Sequence, residues 1–283
     1  MSGRHGGGTS RRWLLPPQWS GRRSLSALLS ASLVLGILSL LGSCLAGKRV
    51  STQELGAGSD LARPDGLVAN ERGYWSNVRG DAPQSSVWDV TAGSLFIHDH
   101  AWWTGVPDAT KPDWRSQHST NSAVFRIVTK KSSYENVTVR FRLLNQRLTA
   151  TQSTPPEEWD GVHIFLRYQS QFNLYYASVN RRDGRVTIKK KVPGGPDNGG
   201  TYFDLSHEVP GHPIQWGQWR TVGASVQNGA GGIVTISVLL DGKVVLTGQD
   251  TGQGGPPITA SGGVGIRGDN DEFLFNDFFV VTQ

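Results

Sequence analysis

Cysteine is almost missing. One Cys in 283 residues leaves no intrachain disulfide to staple the fold, and the seven scattered His offer neither zinc-ligand spacing nor a thiol dyad. Acidic residues are missing from residues 1–43, which hold Arg4, Arg11, Arg12, Arg22 and Arg23. The rest of the chain therefore carries 23 bases against 23 acids. A neutral body lacks the cationic surface on which phosphate recognition draws, which excludes nucleic acid as a partner. Helical periodicity is missing too: from Gly73 onward no stretch of ten residues spaces its apolar side chains by three and four. The 36 Gly and 14 Pro make about one residue in six a turn-former, below the share that marks low complexity.

What is present begins with an address. Between Arg23 and Lys48 lie 24 uncharged residues, apolar from Leu28 to Leu41 but diluted by Ser30, Ser32, Gly36 and Ser39. An arginine-rich flank before a short apolar run is an export signal, and the flank stays cytoplasmic. Leu41-Gly42-Ser43-Cys44 is similar to the lipobox of bacterial lipoproteins, which would make Cys44 a lipidated mature N-terminus. The other reading is a lone Cys at the end of a signal peptide or signal anchor. Residues 44–72 carry small, polar and charged side chains without a sustained apolar period, and read as a tether spanning about 30 Å. These features divide the chain into an export signal (1–43), a tether (44–72) and a folded domain (73–283), held outside the cytoplasm on a membrane or secreted.

The domain alternates with period two. Val137, Val139, Phe141 and Leu143 are interleaved with Thr138, Arg140 and Arg142, and Val234, Ile236, Val238 and Leu240 with Thr235, Ser237 and Leu239. Asp183-Gly184 and Asp241-Gly242 sit between such runs, where tight hairpins need positive φ. About a dozen strands follow, and two stacked antiparallel sheets bury them best, so the expected class is all-β. Trp88, Phe141 and Trp219 are expected in the core.

The order of features also carries a resemblance: Val87-Trp88-Asp89-Val90 before Gly93-Ser94-Leu95, then GVHIFLRYQSQFNLYYASVNRRDGRVTIKKK, Gly217-Gln218-Trp219-Arg220, Leu239-Leu240-Asp241-Gly242-Lys243 and GGVGIRGDNDEFLFNDFFVV. Over about 210 residues this resembles the concanavalin A-like jelly rolls, in their laminin-G-like and keto-disaccharide-hydrolase-like branches. The resemblance implies a two-sheet jelly-roll sandwich. It leaves activity open, because lectins, carbohydrate-binding modules, hydrolases and lyases share that fold.

Glucanases of this fold carry carboxylates alternating on one strand, about 5 Å apart. No strand here does so. Glu157-Glu158-Trp159-Asp160 follows two prolines and Asp269-Asn270-Asp271-Glu272 follows a glycine, so both read as solvated loops. The densest chemistry lies on the central strands, where His163, Phe165 and Arg167 share a parity and are followed by Tyr176, Asn180, Lys189 and Lys191. On one sheet face these would form an aromatic and cationic groove that stacks on sugar rings and pairs with uronates. The alternative is a plain solvated face. The run from His98 to Ser122 holds Trp102, Trp103 and Trp114, which either contact ligand or pack on one another. Asp277 falls in the apolar row Phe273, Phe275, Phe279 and needs either an Arg or a structural calcium ion, which the resemblance allows. No other cofactor is expected. The leading expectation is a surface-tethered carbohydrate-binding protein without catalysis. The alternatives are a polysaccharide-degrading enzyme, in which Arg167 neutralises a uronate and His163 or Tyr176 moves the proton, and a structural or partner-binding envelope protein.

Overall fold

The computed structural model of the chain describes residues 50–56, 62–75, 83–111 and 123–283. The span Lys48–Gln283 clusters as one unit. Residues 1–43, expected to be an export signal, and Cys44 lie outside the described residues. The elements run β1 (Ser51–Leu55), β2 (Leu67–Asn70), α1 (Glu71–Trp75), β3 (Trp88–Ala92), β4 (Ser94–His98), β5 (Ala101–Trp103) and β6 (Val124–Thr129). Then come β7 (Val137–Leu148), β8 (Gly161–Ser170), β9 (Asn173–Arg181), β10 (Thr187–Pro193) and β11 (Gly200–Asp204). The last are β12 (Arg220–Asn228), β13 (Val234–Leu240), β14 (Lys243–Asp250), β15 (Gly263–Asp269) and β16 (Asp271–Thr282).

These strands form two antiparallel sheets, the jelly-roll sandwich expected. The first has the order β14-β13-β12-β7-β16-β5-β4-β2, with β1 on the β16 edge beyond β5. The second has the order β11-β10-β9-β8-β15-β6-β3. Alternation does its work along β7, where Val137, Val139, Phe141 and Leu143 are buried and Arg140 and Arg142 are exposed. Between the sheets Phe278 packs edge-on to Trp88 at 5.0 Å and stacks on Phe141 at 5.4 Å, while Trp102 meets Phe275 at 5.1 Å. Each such ring contributes about 1.5–3 kcal/mol by leaving water.

Four local expectations are corrected. Residues 51–55 and 67–75 do not belong to a tether: β1 pairs with β16 from Ser51↔Thr282 to Leu55↔Phe278, and β2 pairs with β4. An edge strand that buries only Leu55 shows no alternation, so its backbone pairing leaves no trace in the sequence. Trp219 is half-buried on an outer face, with the Arg142 guanidinium 4.9 Å from its ring. Asp241 and Gly242 both take positive φ (50° and 78°) in the expected two-residue turn, but at the first hairpin only Gly184 does, and β10 begins later, at Thr187. Finally, Asp269, Asn270, Asp271 and Glu272 are buried, as is Asp160, although both segments read as solvated loops.

Candidate functional site

The second sheet has two faces. Val162, Ile164, Leu166, Tyr175, Ala177 and Val179 point into the sandwich, while Phe165, Leu174, Tyr176 and Val128 form a separate cluster on the other face, joined by Tyr168 and Tyr202. Register assembles this outer face. His163 lies opposite Ser178 and Arg267, Phe165 opposite Tyr176, Tyr176 opposite Lys189, and Lys191 opposite Tyr202.

At its centre the imidazole of His163 stacks on Tyr176 with centroids 4.4 Å apart, and Tyr202 stands edge-on to Tyr176 at 5.6 Å. Lys191 holds its ammonium 4.9 Å from the Tyr202 ring and 5.8 Å from Phe172. Lys189 pairs with Asp204 at 3.2 Å. Beside His163, Arg267 grips Asp269 in a bidentate pair, Nε to Oδ2 at 2.6 Å and Nη2 to Oδ1 at 2.8 Å. That fork leaves Nη1 of Arg267 without a hydrogen bond to any described residue. Next to it Arg126 donates from Nε to Thr91 Oγ1 at 2.6 Å.

The electrostatics follow from burial and this one ion pair. Burial pushes the Asp269 carboxyl up, but the charge and hydrogen bonds of Arg267 outweigh it and hold the group below the ordinary carboxylate range. Burial likewise disfavours the charged Arg267, and Asp269 more than compensates. His163 is fully buried; its Nδ1 shares a 3.0 Å hydrogen bond with Ser178 Oγ, and its Nε2 lies 3.5 Å from Asp269. Burial lowers its pKa to about 3, so the ring is neutral near neutral pH. Burial raises Tyr176 well above the usual phenol value.

Sequence parity thus brings together His163, Tyr176, Lys189 and Lys191. It fails for Arg167 and Asn180. Arg167 takes positive φ (48°) at the irregularity between Leu166 and Ser170, which turns its side chain away from this face and gives the outer position to Tyr168. Its guanidinium donates to Glu135 O (3.1 Å), Asn228 Oδ1 (2.6 Å), Ile258 O (2.5 Å) and Asn136 Oδ1 (3.3 Å), where it locks structure. Asn180 is set opposite Val162, a core residue, by the register shift before His163, and its amide is fully buried. Gly161 permits that close approach, since a Cβ there would sit 2.1 Å from Asn180 O.

The tryptophan run does not join the face. Trp102 is a core residue. Trp103 is half-buried on the first sheet, its Nε1 donating to Glu272 at 3.2 Å. Trp114 lies outside the described residues. Asp277 is also corrected: positive φ (50°) at a bulge turns it out of the apolar row, Phe278 takes the core position, and Arg142 lies 3.9 Å away. A lone carboxylate facing a guanidinium does not fit a calcium ion, which takes six to eight oxygens. Among the described residues no group of three or more His, Cys, Asp or Glu could hold a metal ion.

Sequence reasoning missed Arg126, Tyr202, Arg267 and Asp269. The alternation Ile266-Arg267-Gly268-Asp269, with both charges on one parity, was the available signal. A cleft of about 510 Å³ opens at the far end of the same sheet, between Gln169, Asn173, Lys190 and residues 254–260. Its one charged group, Lys190, is already saturated by Asp250 Oδ2 (3.0 Å), Gly255 O (2.7 Å) and Pro256 O (2.8 Å).

No family model matches the chain, and no curated protein matches it in sequence. Among solved structures it is similar to the carbohydrate-binding module CBM66 from Bacillus subtilis, at 13% identity over 69% of this chain and 96% of that one, TM-score 0.45. It is also similar to the exoplasmic/lumenal domain of VIP36 in its Ca2+/Man3GlcNAc-bound form, at 9% identity over 79% and 90% of the two chains, TM-score 0.43. A third is the catalytic domain of an endo-1,3-beta-glucanase from Thermotoga petrophila RKU-1, at 10% identity over 82% and 96%, TM-score 0.44. At such distances these likenesses carry no information about function, which rests on the site.

Proposed function

We propose that this chain binds carbohydrate on the outer face of its second sheet, where the partly exposed Tyr202 and Arg267 lie over the buried His163, Tyr176 and Lys191. The observation that carries the reading is the aromatic row His163–Tyr176–Tyr202 set beside a guanidinium already oriented by Asp269. Sugar rings offer C–H faces that stack on aromatics, and hydroxyls that need fixed donors and acceptors. A rigid site limits the ordering cost of binding.

Binding without catalysis is favoured over proton transfer by the same geometry. A general base works best with a pKa near the working pH and within reach of substrate. His163 is buried with a pKa lowered to about 3, and the phenol of Tyr176 is held well above its usual value, so neither is poised for that role. We also propose that the domain is exported and held at a membrane through lipid on Cys44, a reading supported by the arginine-rich flank, the short apolar run and the Leu41-Gly42-Ser43-Cys44 motif. Tyr202→Ala tests the site: it should weaken binding to whichever polysaccharide the wild type holds, while leaving the unfolding temperature within a few degrees. Undiminished binding would remove Tyr202 from the site.

A further inference from the structure

The loop before β8 holds an aromatic residue that the outer face does not yet use. Trp159 is 52% exposed, and its indole has neither an aromatic partner nor a hydrogen bond among the described residues. The loop that carries it is rigidly built. Asp160, 2% exposed, accepts at Oδ2 from the Glu157 amide (2.8 Å), Arg182 Nη2 (3.0 Å) and Asn270 Nδ2 (3.1 Å). The backbone is tied as well, with Arg182 N donating to Asp160 O at 2.6 Å and Asp183 N to Glu158 O at 3.2 Å. A mobile loop can fold its tryptophan away from water, but this one holds the ring where water meets it.

Its position is not arbitrary. Two residues on, Gly161 enters β8 opposite Asp269, whose carboxylate lies 3.5 Å from His163 Nε2, so the loop borders the His163 end of the aromatic row. Tyr202 stands at the other end. Through Lys191 its row meets Leu174 of β9, whereas Gly161, where the Trp159 loop enters β8, meets Arg181. Those two rows are seven strand residues apart, about 23 Å of backbone, which is room for several sugar rings.

Resting on the carbohydrate reading of the face, we infer that Trp159 is an end platform that stacks on one ring of a bound polysaccharide, so that the site recognises a stretch of several sugar units rather than a single terminal sugar. The platform is fixed before the ligand arrives, and a planar indole costs little conformational entropy on binding.

Calorimetry on the full chain tests this with soluble laminarin, levan, mannan and polygalacturonate, followed by the disaccharide and hexasaccharide of whichever polymer binds. Trp159→Ala should lower affinity for the hexasaccharide about tenfold, as loss of a tryptophan anchor does, and change that for the disaccharide by less than about twofold. Trp159→Tyr should recover most of the loss, and the melting temperature of both variants should match wild type. Equal affinities of wild type and Trp159→Ala at both lengths would overturn the inference, as would an equal loss at both. Wild type that binds none of the four polymers would refute the carbohydrate reading and take this inference with it.

Discussion

Replacing Arg167 by Ala should damage the fold and not the ligand contacts. The side chain is fully buried, and its guanidinium makes four hydrogen bonds, to Glu135 O, Asn136 Oδ1, Asn228 Oδ1 and Ile258 O. Those partners come from the β6–β7 connection, the end of β12 and the loop before β15, so one cation ties three segments of both sheets together. A hydrogen bond to a charged group contributes about 1.5–3 kcal/mol, but the four share one donor and do not add. Truncation leaves four neutral acceptors facing a cavity, and at about 1–3 kcal/mol for each one that stays without a partner the loss comes to about 3–5 kcal/mol once some regain water. In a domain of this size that lowers the melting temperature by about 6–20 °C. Scanning calorimetry reads the shift, and glycan binding measured well below the new transition should stay at the wild-type value. Arg167→Lys keeps a charge but loses the fork, and should fall between the two. If Arg167→Ala melted like wild type and lost binding, Arg167 would belong on the outer face and the bulge argument would fail.

Two more outcomes follow from His163 and from the leader. The folded state keeps His163 neutral down to about pH 3, whereas the unfolded chain takes up that proton below about 6.5. The unfolded state therefore binds more protons in this window, and stability should fall as pH drops from 6.5 toward 3, approaching about 1.4 kcal/mol per pH unit from this residue. His163→Phe should flatten that limb in urea titrations at stepped pH, and an imidazole signal that titrates near pH 6.5 in the wild type and is lost in His163→Phe would contradict the buried assignment. For the leader, mass spectrometry of protein purified from membranes should find an N-terminus at Cys44 carrying lipid. An unlipidated Cys44, or a mature chain retaining residues 24–43, would overturn the anchoring proposal.

The fold was legible because alternation is a physical requirement of a half-buried strand. β7 and β13 show it without interruption, and the Asp241-Gly242 turn announces its positive φ. The site was only half legible. His163 shares a parity with Phe165, and Lys189 with Lys191, within unbroken stretches of strand. Arg167 and Asn180 sit at register shifts, where one residue out of step sends a side chain to the other face. Arg126 and Arg267 reach the site through pairings between strands far apart in sequence, and Tyr202 through the register of β11 on β10, neither of which periodicity encodes. Lys190 escaped notice for another reason. A lysine inside the sandwich contradicts the usual rule and is explained by Asp250, itself anchored by Tyr175 Oη at 2.7 Å, together with the carbonyls of Gly255 and Pro256. The carboxylates from Asp269 to Glu272 misled in the same way, since acids after a glycine look solvated until their partners are known.

The most direct test of the central claim is a crystal structure of the protein with an oligosaccharide from the polymer it binds best. The account predicts sugar rings along the outer face of the second sheet, one against Tyr202 and another against Trp159, with a hydroxyl or carboxylate oxygen within hydrogen-bond distance of Arg267 Nη1. Sugar bound instead on the first sheet, or in the cleft between Gln169 and residues 254–260, with the His163–Tyr176–Tyr202 row untouched, would contradict it.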